Sequence, residues 1–345
     1  MSHSADQQDN LNADILIIGA GLAGLAAAND LKQAGFNVLV VDKGRGLGGR
    51  LAGRRIGDAT FDHGAQFMTA RDSRFQNSVA EWIAAGVAEE WYRSYPGQAN
   101  GHPRYRGVPT MTAVAKYMAT DINVLRQTRV ESIQKNGQRW SATLDNGNAV
   151  NAKALLITSP VPQTIDLLAT GNIDISPGNQ ARLARIEYES CLAVMAVLDG
   201  PTAIPVPGAI AFDEGPIAWI SDNLQKGVST VPALTIHGSG QFSDQYFSDN
   251  DFSHKQSEQN RMQMAQQLID AAATYLGTAR VIDYQVHGWR YSKPTIVDNE
   301  ACMLASEATN LPPLALAGDA FAGPRFEGAV LSGWAAAKRL IAELG

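Results

Sequence analysis

The 345-residue chain has little cysteine: Cys191 and Cys302 are its only two, far apart and outside any CxxC pair. That excludes a disulfide framework and a cysteine zinc site, and two reduced thiols in or near a core are expected instead. No run of about 18 apolar residues occurs, so no transmembrane helix is expected. Residues 1–12 are polar and lack the apolar stretch of a signal peptide, which points to a cytoplasmic protein with a disordered tail over 1–12. Basic residues are not in excess. The chain carries 28 Lys and Arg against 34 Asp and Glu, a net charge of −6. A general nucleic-acid binder needs a phosphate-neutralising surplus of cations, so that partner class is not expected. His63, His102 and His254 show no ligand spacing, and no metal is expected.

Hydrophobic residues make up 45% of the chain, enough for a sizeable core. Asp14-Ile-Leu-Ile-Ile18 reads as a buried parallel strand, and Leu25 to Ala34 as a helix stopped by Gly35. Val38 to Val41 is a second strand, ending at Asp42, which closes a βαβ unit. Residues 43–58 and 94–109 read as loops and 75–93 as a helix, with Phe75, Val79, Trp82 and Ile83 on one face. A short helix follows at Met111 to Met118. Turns at Asn136-Gly137 and Asn146-Gly147 predict a β-meander over 123–150, with a separate buried strand at Ala154 to Ile157. Strand-like runs at 191–198, 209–212, 217–220 and 233–237, then a helix over 257–276, suggest a second sheet region. Leu314 to Ala317 is a last buried strand, and Ala329 to Leu344 an amphipathic helix.

The first strand-to-helix turn carries Gly19, Gly21 and Gly24. Gly19 permits a tight turn, Gly21 removes a Cβ that would block a pyrophosphate, and Gly24 lets helix and strand pack closely. The helix start at Leu22 and Ala23 offers free N–H groups to phosphate. Asp42, at the end of the next strand, is placed to bind an adenosine ribose hydroxyl. Lys43 and the loop Gly44-Arg-Gly-Leu-Gly-Gly-Arg50 follow directly; Arg45, Gly49 and Arg50 are candidate diphosphate contacts. Near the other end, Gly318-Asp319 closes a strand before a glycine-containing loop, where the carboxylate can hold a polyol hydroxyl. The helix start at Glu327, Gly328 and Ala329 can then face a ligand that becomes anionic on reduction. A nicotinamide dehydrogenase has no need of this C-terminal arrangement, so FAD is the expected dinucleotide.

Read together, these segments resemble the renalase-like family of the flavin-containing amine oxidase superfamily. The resemblance rests on Ile17 to Leu25, Asp42 to Arg50, Asp62-His-Gly-Ala-Gln-Phe-Met-Thr-Ala-Arg-Asp72, Thr158 to Gln163, His287-Gly-Trp-Arg-Tyr291, and Ala317 to Ala320 through Glu327 to Gly333. Met68 and Val108-Pro-Thr-Met111 depart from the family pattern. The resemblance implies noncovalent FAD and an oxidase that takes a hydride from an isomeric dihydro-NAD(P) to flavin N5. The electrons then pass to O2, giving H2O2. It also implies that Val130 contacts adenine through its backbone and that Asp319 meets the ribityl chain. His237 and Asn223 match polar pocket positions of such proteins.

Hydride transfer needs positioning and exclusion of water more than acid–base groups. Trp219, Trp289 and Tyr291 are therefore candidate pocket aromatics. Trp289, His237, Asn223 and Gln66 form the candidate catalytic set, with Gln66 and Arg71 able to approach the flavin edge. Arg54 and Arg290 are candidate substrate-phosphate contacts. Amine oxidation or desaturation on the same scaffold, and a non-catalytic FAD redox sensor, are the competing functions. The expected fold is α/β: a discontinuous Rossmann-type FAD-binding domain over 13–75, 105–160 and 286–345. Into it an α+β substrate domain with a mixed β-sheet, over 76–104 and 161–285, is inserted as a cap.

Overall fold

The computed structural model describes residues 10–94, 101–248 and 254–345. The chain forms two compact units. The first comprises the described residues through Gly49, Met118–Glu187 and Ile296–Gly345; the second comprises the described parts of Arg50–Tyr117 and Tyr188–Thr295.

The first unit is built on an eight-stranded mixed sheet. Its order is Met303–Leu304, Leu314–Leu316, Ala149–Ile157, Asn10–Ile18, Val38–Asp42, Asn123–Arg126, with the hairpin Val130–Asn136/Arg139–Leu144 joined to Ala149–Ile157. Ile15, Leu16, Ile17 and Ala154 to Ile157 are buried as unbroken apolar runs. Strands covered on both faces need exactly such runs, and these two lie parallel, Ile15 beside Ala154 and Ile18 beside Ile157. The helix Leu22–Gln33 buries Leu22 through Ala28 and Leu31. A Cβ at Gly24 would stand 2.0 Å from the Gly19 carbonyl oxygen, so only glycine allows this approach of helix to turn. The last helix, Phe326–Leu344, makes the same kind of contact with the first: a Cβ at Gly333 would stand 2.2 Å from the Ala23 carbonyl oxygen. Sequence ends more than 300 positions apart thus meet backbone to backbone.

The second unit carries a five-stranded sheet ordered Ala209–Ala211, Ile217–Asp222, Ala233–Gly238, Glu187–Leu198, Val281–Ile296. Leu192, Val194, Ile220, Leu234 and Ile236 face one way and pack with Ala265 and Leu268 of the helix His254–Ala271. Alternation sends the intervening residues to the other face. There Met195 and Ala233 pack with Ile56, Ala59 and Phe61 of a hairpin, Gly53–Ile56/Ala59–Asp62. Trp219, Ser221, Thr235 and His237 share this second face, with Trp219 and His237 paired across neighbouring strands.

Several expectations change. Asn10 to Asn12, assigned to the tail, extend the first strand by pairing with Ala149 to Asn151; the rest of the tail, 1–9, and 95–100 of the expected loop lie outside the described residues. The expected helix over 75–93 is Ser73–Ala84, and Ala88–Tyr92 is a strand paired with Arg104–Gly107. Gly86, at φ +71°, breaks the helix, and Ile83 is exposed rather than on the buried face. The loop over 43–58 contains the first strand of the Gly53–Asp62 hairpin. Ala149–Ile157 is one strand, since the same residues pair with the meander on one side and the first strand on the other. The compact units also divide differently from the expected domains: 50–75, 105–117 and 286–295 fall in the second unit, and 161–187 in the first.

The Gly333 contact gives a first prediction. Gly333→Ala places a methyl group against backbone that cannot rotate away. It should lower unfolding stability by about 1–3 kcal/mol in urea titrations; an unchanged midpoint would refute the close packing of the two helices.

Candidate functional site

In the first unit, Gly19 has φ +112° and turns the chain sharply out of the first strand. A side chain there would meet the Thr158 hydroxyl at 2.5 Å. Gly21 is the N-cap of the helix Leu22–Gln33, no side chain caps that end, and nothing stands within 4 Å of where its Cβ would be. The N–H groups of Leu22, Ala23 and Gly24 have no partner one turn back, because the first helical bond is Leu25 N–H to the Gly21 carbonyl. An open cradle with uncapped donors is what a pyrophosphate requires.

Asp42 ends the second strand beside it. Its carboxylate accepts from Ala20 N–H at 2.6 Å and Gly44 N–H at 2.6 Å, which ties the glycine turn to the following loop. Two of about four carboxylate lone-pair sites are then used, and the rest can accept ribose hydroxyls. Thr128 N–H reaches the Asp42 carbonyl at 3.0 Å, which brings the start of the strand Val130–Asn136 to the same corner. A register shift separates Val130 from Ser132, so Val130 begins its strand with irregular pairing. Lys43 Nζ donates to Gln163 Oε1 at 3.1 Å, and Arg45 is exposed with its carbonyl taken by Arg126. Gly49 lies 3.7 Å from Gly21 Cα, measured from its would-be Cβ, so the second loop lines the same cradle.

On the C-terminal side, Gly318 has φ +149° and open space where a Cβ would stand, and its N–H donates to Ser332 Oγ at 2.9 Å. Asp319 is buried next to it. The helix Phe326–Leu344 starts with no side-chain cap and with Glu327 in its first turn, followed by Gly328 and Ala329. A Cβ on Gly328 would meet the Gly323 carbonyl at 2.2 Å, so loop and helix start are packed backbone to backbone. Two open glycine positions, two uncapped helix starts and one carboxylate between two turns fit FAD, which these residues would hold.

The second unit contains a distinct constellation around the His63 carbonyl. The His63 carbonyl accepts twice, from Trp289 Nε1 at 3.0 Å and from His237 Nε2 at 3.1 Å. A carbonyl can only accept, so His237 carries its proton on Nε2 and presents Nδ1 as a lone pair. The His63 ring stacks on Trp289 at 5.5 Å, and His287 meets Trp289 edge-on at 4.2 Å. All three histidines are held neutral. Burial pushes His63 down to about 3 and His237 and His287 down to about 4, and the Arg54 charge lowers His63 and His287 further. A second aromatic group joins Phe67 to Trp219 at 5.5 Å and Trp219 to Trp91 at 6.4 Å.

Asp62, just before His63, anchors the loop. Its Oδ2 pairs with Lys226 Nζ at 2.9 Å, both side chains being wholly buried, and its Oδ1 accepts from Met111 N–H at 2.9 Å. Its carbonyl accepts from Thr235 Oγ1 at 2.9 Å and Gln66 Nε2 at 2.8 Å, and its N–H reaches Asn223 Oδ1 at 3.3 Å. Gln66 Oε1 accepts from Ser221 Oγ at 2.8 Å and Lys226 Nζ at 3.3 Å. Desolvation lowers the Lys226 ammonium from its ordinary value, while Asp62 works against that shift.

These contacts revise the candidate set. Trp289 and His237 meet at one carbonyl. Asn223 and Gln66 are buried with their amides bonded inside the unit, Asn223 Nδ2 to Thr235 Oγ1 at 2.9 Å, so they brace the loop rather than present an amide to a ligand. Arg50 donates to the carbonyls of Tyr291 at 3.3 Å and Ser292 at 3.0 Å, joining two segments of the second unit. Tyr291 packs on Tyr188, and Arg290 lies over the Phe247 ring at 5.5 Å. Arg54 reaches Gln285 Oε1 at 3.1 Å. Lys226, Asp62 and His63 carry more of the architecture than their sequence context announces. Among the described residues no helix is long and apolar enough to cross a membrane, and no acid, histidine and cysteine group forms a metal site.

Residues 90–341 match the family described as flavin containing amine oxidoreductase, and residues 17–82 match the NAD(P)-binding Rossmann-like domain. The chain belongs to the flavin-containing amine oxidoreductase family and is an FAD-dependent oxidoreductase. Within that family it is renalase-like: it is 24% identical to mouse (Mus musculus) renalase over 341 residues, covering 92% of this chain and 96% of that protein. Its fold is similar to that of a redesigned putrescine oxidase triple mutant, with TM-score 0.69, 15% identity, and 97% and 100% of the two chains covered. Wild-type putrescine oxidase bound to putrescine aligns at TM-score 0.63 and 14% identity over 97% of this chain and 100% of that one.

Two measurements check the site. Asp42→Ala removes the carboxylate from the cradle and should weaken FAD binding by about 1.5–3 kcal/mol in flavin titrations, whereas unchanged retention would refute the assignment. The second concerns pH. Folding lowers the pKa of His63, His237 and His287 from 6.5, so the unfolded chain binds more protons below that value. Their contribution to stability is complete above pH 6.5 and is lost as pH falls toward about 4. Urea unfolding from pH 7.5 to 4.5 should show that slope, and His287→Asn should flatten it; equal slopes would contradict burial of a neutral imidazole there.

Proposed function

We propose that this enzyme is an oxidase of reduced small molecules, and that its substrate is an isomeric dihydro-NAD(P). When bound, FAD supplies the two-electron acceptor for a hydride and returns the electrons to O2 as H2O2. The balance is dihydro-NAD(P) plus O2 plus a proton, giving NAD(P)+ plus H2O2. The observation that carries this reading is the neutral set formed by His63 and His287, in ring contact with Trp289, and His237, which shares the His63 carbonyl with Trp289. A dihydropyridine becomes a cation as its hydride leaves. Imidazolium groups would oppose that charge, whereas neutral imidazoles and an indole face tolerate or favour it.

In this assignment Trp289 offers a flat surface for the ring, and His237 Nδ1 accepts a hydrogen bond from the substrate. Asn223 and Gln66 hold the His63 loop. No side chain has to remove a proton, so orientation and exclusion of water carry the rate. A second reading is amine oxidation, which family membership and the putrescine oxidase likeness favour; its product is also a cation.

Anaerobic mixing with borohydride-reduced NAD+, a mixture of dihydro isomers, should bleach the flavin absorbance, and oxygen should restore it with release of H2O2. His237→Asn should slow bleaching while leaving the flavin bound. Bleaching by diamines or monoamines with no response to any dihydro isomer would replace this reading with the second.

A further inference from the structure

We propose that Lys226 is a positioning residue for this reaction: through Asp62 and Gln66 it fixes the His63 carbonyl that orients both His237 and Trp289. The proposal rests on the reading of those two residues as the substrate-side groups.

Lys226 is buried to 1% exposure, and its ammonium has three donors. One goes to Asp62 Oδ2 at 2.9 Å and one to Gln66 Oε1 at 3.3 Å, while the charge also lies 4.9 Å from the centre of the Trp91 ring. Asp62 and Gln66 flank His63-Gly64-Ala65, so one cation holds both ends of that turn. Gly64 is pressed against the Arg50 carbonyl, 1.9 Å from its would-be Cβ, and the Ala65 N–H donates to the same carbonyl at 2.9 Å. The turn therefore has one conformation as long as its ends are held. The His63 carbonyl points from that turn at His237 Nε2 and Trp289 Nε1, and among the described residues no other hydrogen bond to the His237 ring fixes its tautomer.

Charge adds to geometry. The titratable groups around His237 are His63 from the turn and Lys226, with its partner Asp62; the residues paired with His237 in the flanking strands, Trp219 and Ala193, are uncharged. Lys226 adds to the burial that lowers His237 to about 4. A cation that both orients the imidazole and discourages its protonation does more than fill space.

The test uses the FAD-loaded enzyme with borohydride-reduced NAD+ as probe. Lys226→Met leaves a buried carboxylate unpaired and can fail to fold, so the paired variant Asp62→Asn/Lys226→Met is measured alongside it. Met fills the volume and Asn keeps an acceptor for Met111 N–H. The paired variant should retain flavin, lose roughly ten- to a hundredfold in kcat with a smaller change in KM, and no longer hold His237 in the single Nε2–H tautomer. Nitrogen NMR of the His237 ring should show a mixture of Nδ1–H and Nε2–H forms in place of Nε2–H alone. In a His237→Asn background the paired change should cost little more. Wild-type kcat and an unchanged Nε2–H tautomer of His237 in the folded paired variant overturn the role of Lys226 alone. No effect of His237→Asn itself overturns the underlying reading instead.

Discussion

Contact between the first and last helices is the constraint on which the first unit depends. Gly333 rests on the Ala23 carbonyl, and Gly24, one residue on, rests on the Gly19 carbonyl. The glycine turn, the first helix and the last helix are therefore locked in series, with no side chain to slip. That stack sets the height of both uncapped helix starts relative to the sheet, and Asp42 then joins the turn to the next loop through Ala20 and Gly44. A dinucleotide is long and its charge sits in the middle, so a cradle for it needs donors near the diphosphate and polar groups at each end. Segments from both ends of the chain would supply them from one unit.

The second unit is organised around a different kind of interaction, a wholly buried ion pair between Asp62 and Lys226. Such pairs are weak sources of stability, because desolvation offsets most of the attraction, yet breaking one costs about 3–5 kcal/mol. Their effect is to make alternative arrangements expensive. Here the arrangement kept is a turn whose single carbonyl serves an indole and an imidazole at once. The neutral histidines and the charged pair thus sit in one network, in which the pair holds the shape of the turn and, under the proposed function, the rings meet the substrate.

The sequence disclosed the first unit far better than the second, and the reason is range. Gly19, Gly21, Gly24 and Asp42 act within one βαβ unit, so spacing alone locates them. The hairpin Gly53–Asp62 hid behind its glycines and arginines, which read as loop. Lys226 stands in Asp222-Asn-Leu-Gln-Lys-Gly227, a polar turn by every local signal, and it is buried against Asp62, 164 positions away, Gln66 and Trp91. Asn223 and Gln66 were legible as polar residues of the site region but not as braces, because burial decides whether an amide faces a ligand or a carbonyl. The neutrality of His237 and His63 could not be read either, since it arises from packing by strands distant in sequence.

Amide hydrogen exchange of the flavin-stripped protein, before and after adding FAD, tests most directly the claim that both chain ends grip one dinucleotide. The account predicts simultaneous protection of the segments around Gly19–Gly24 and Gly318–Ala329, saturating at one FAD per chain. Protection confined to the N-terminal turn, with the C-terminal segment exchanging as before, would contradict it.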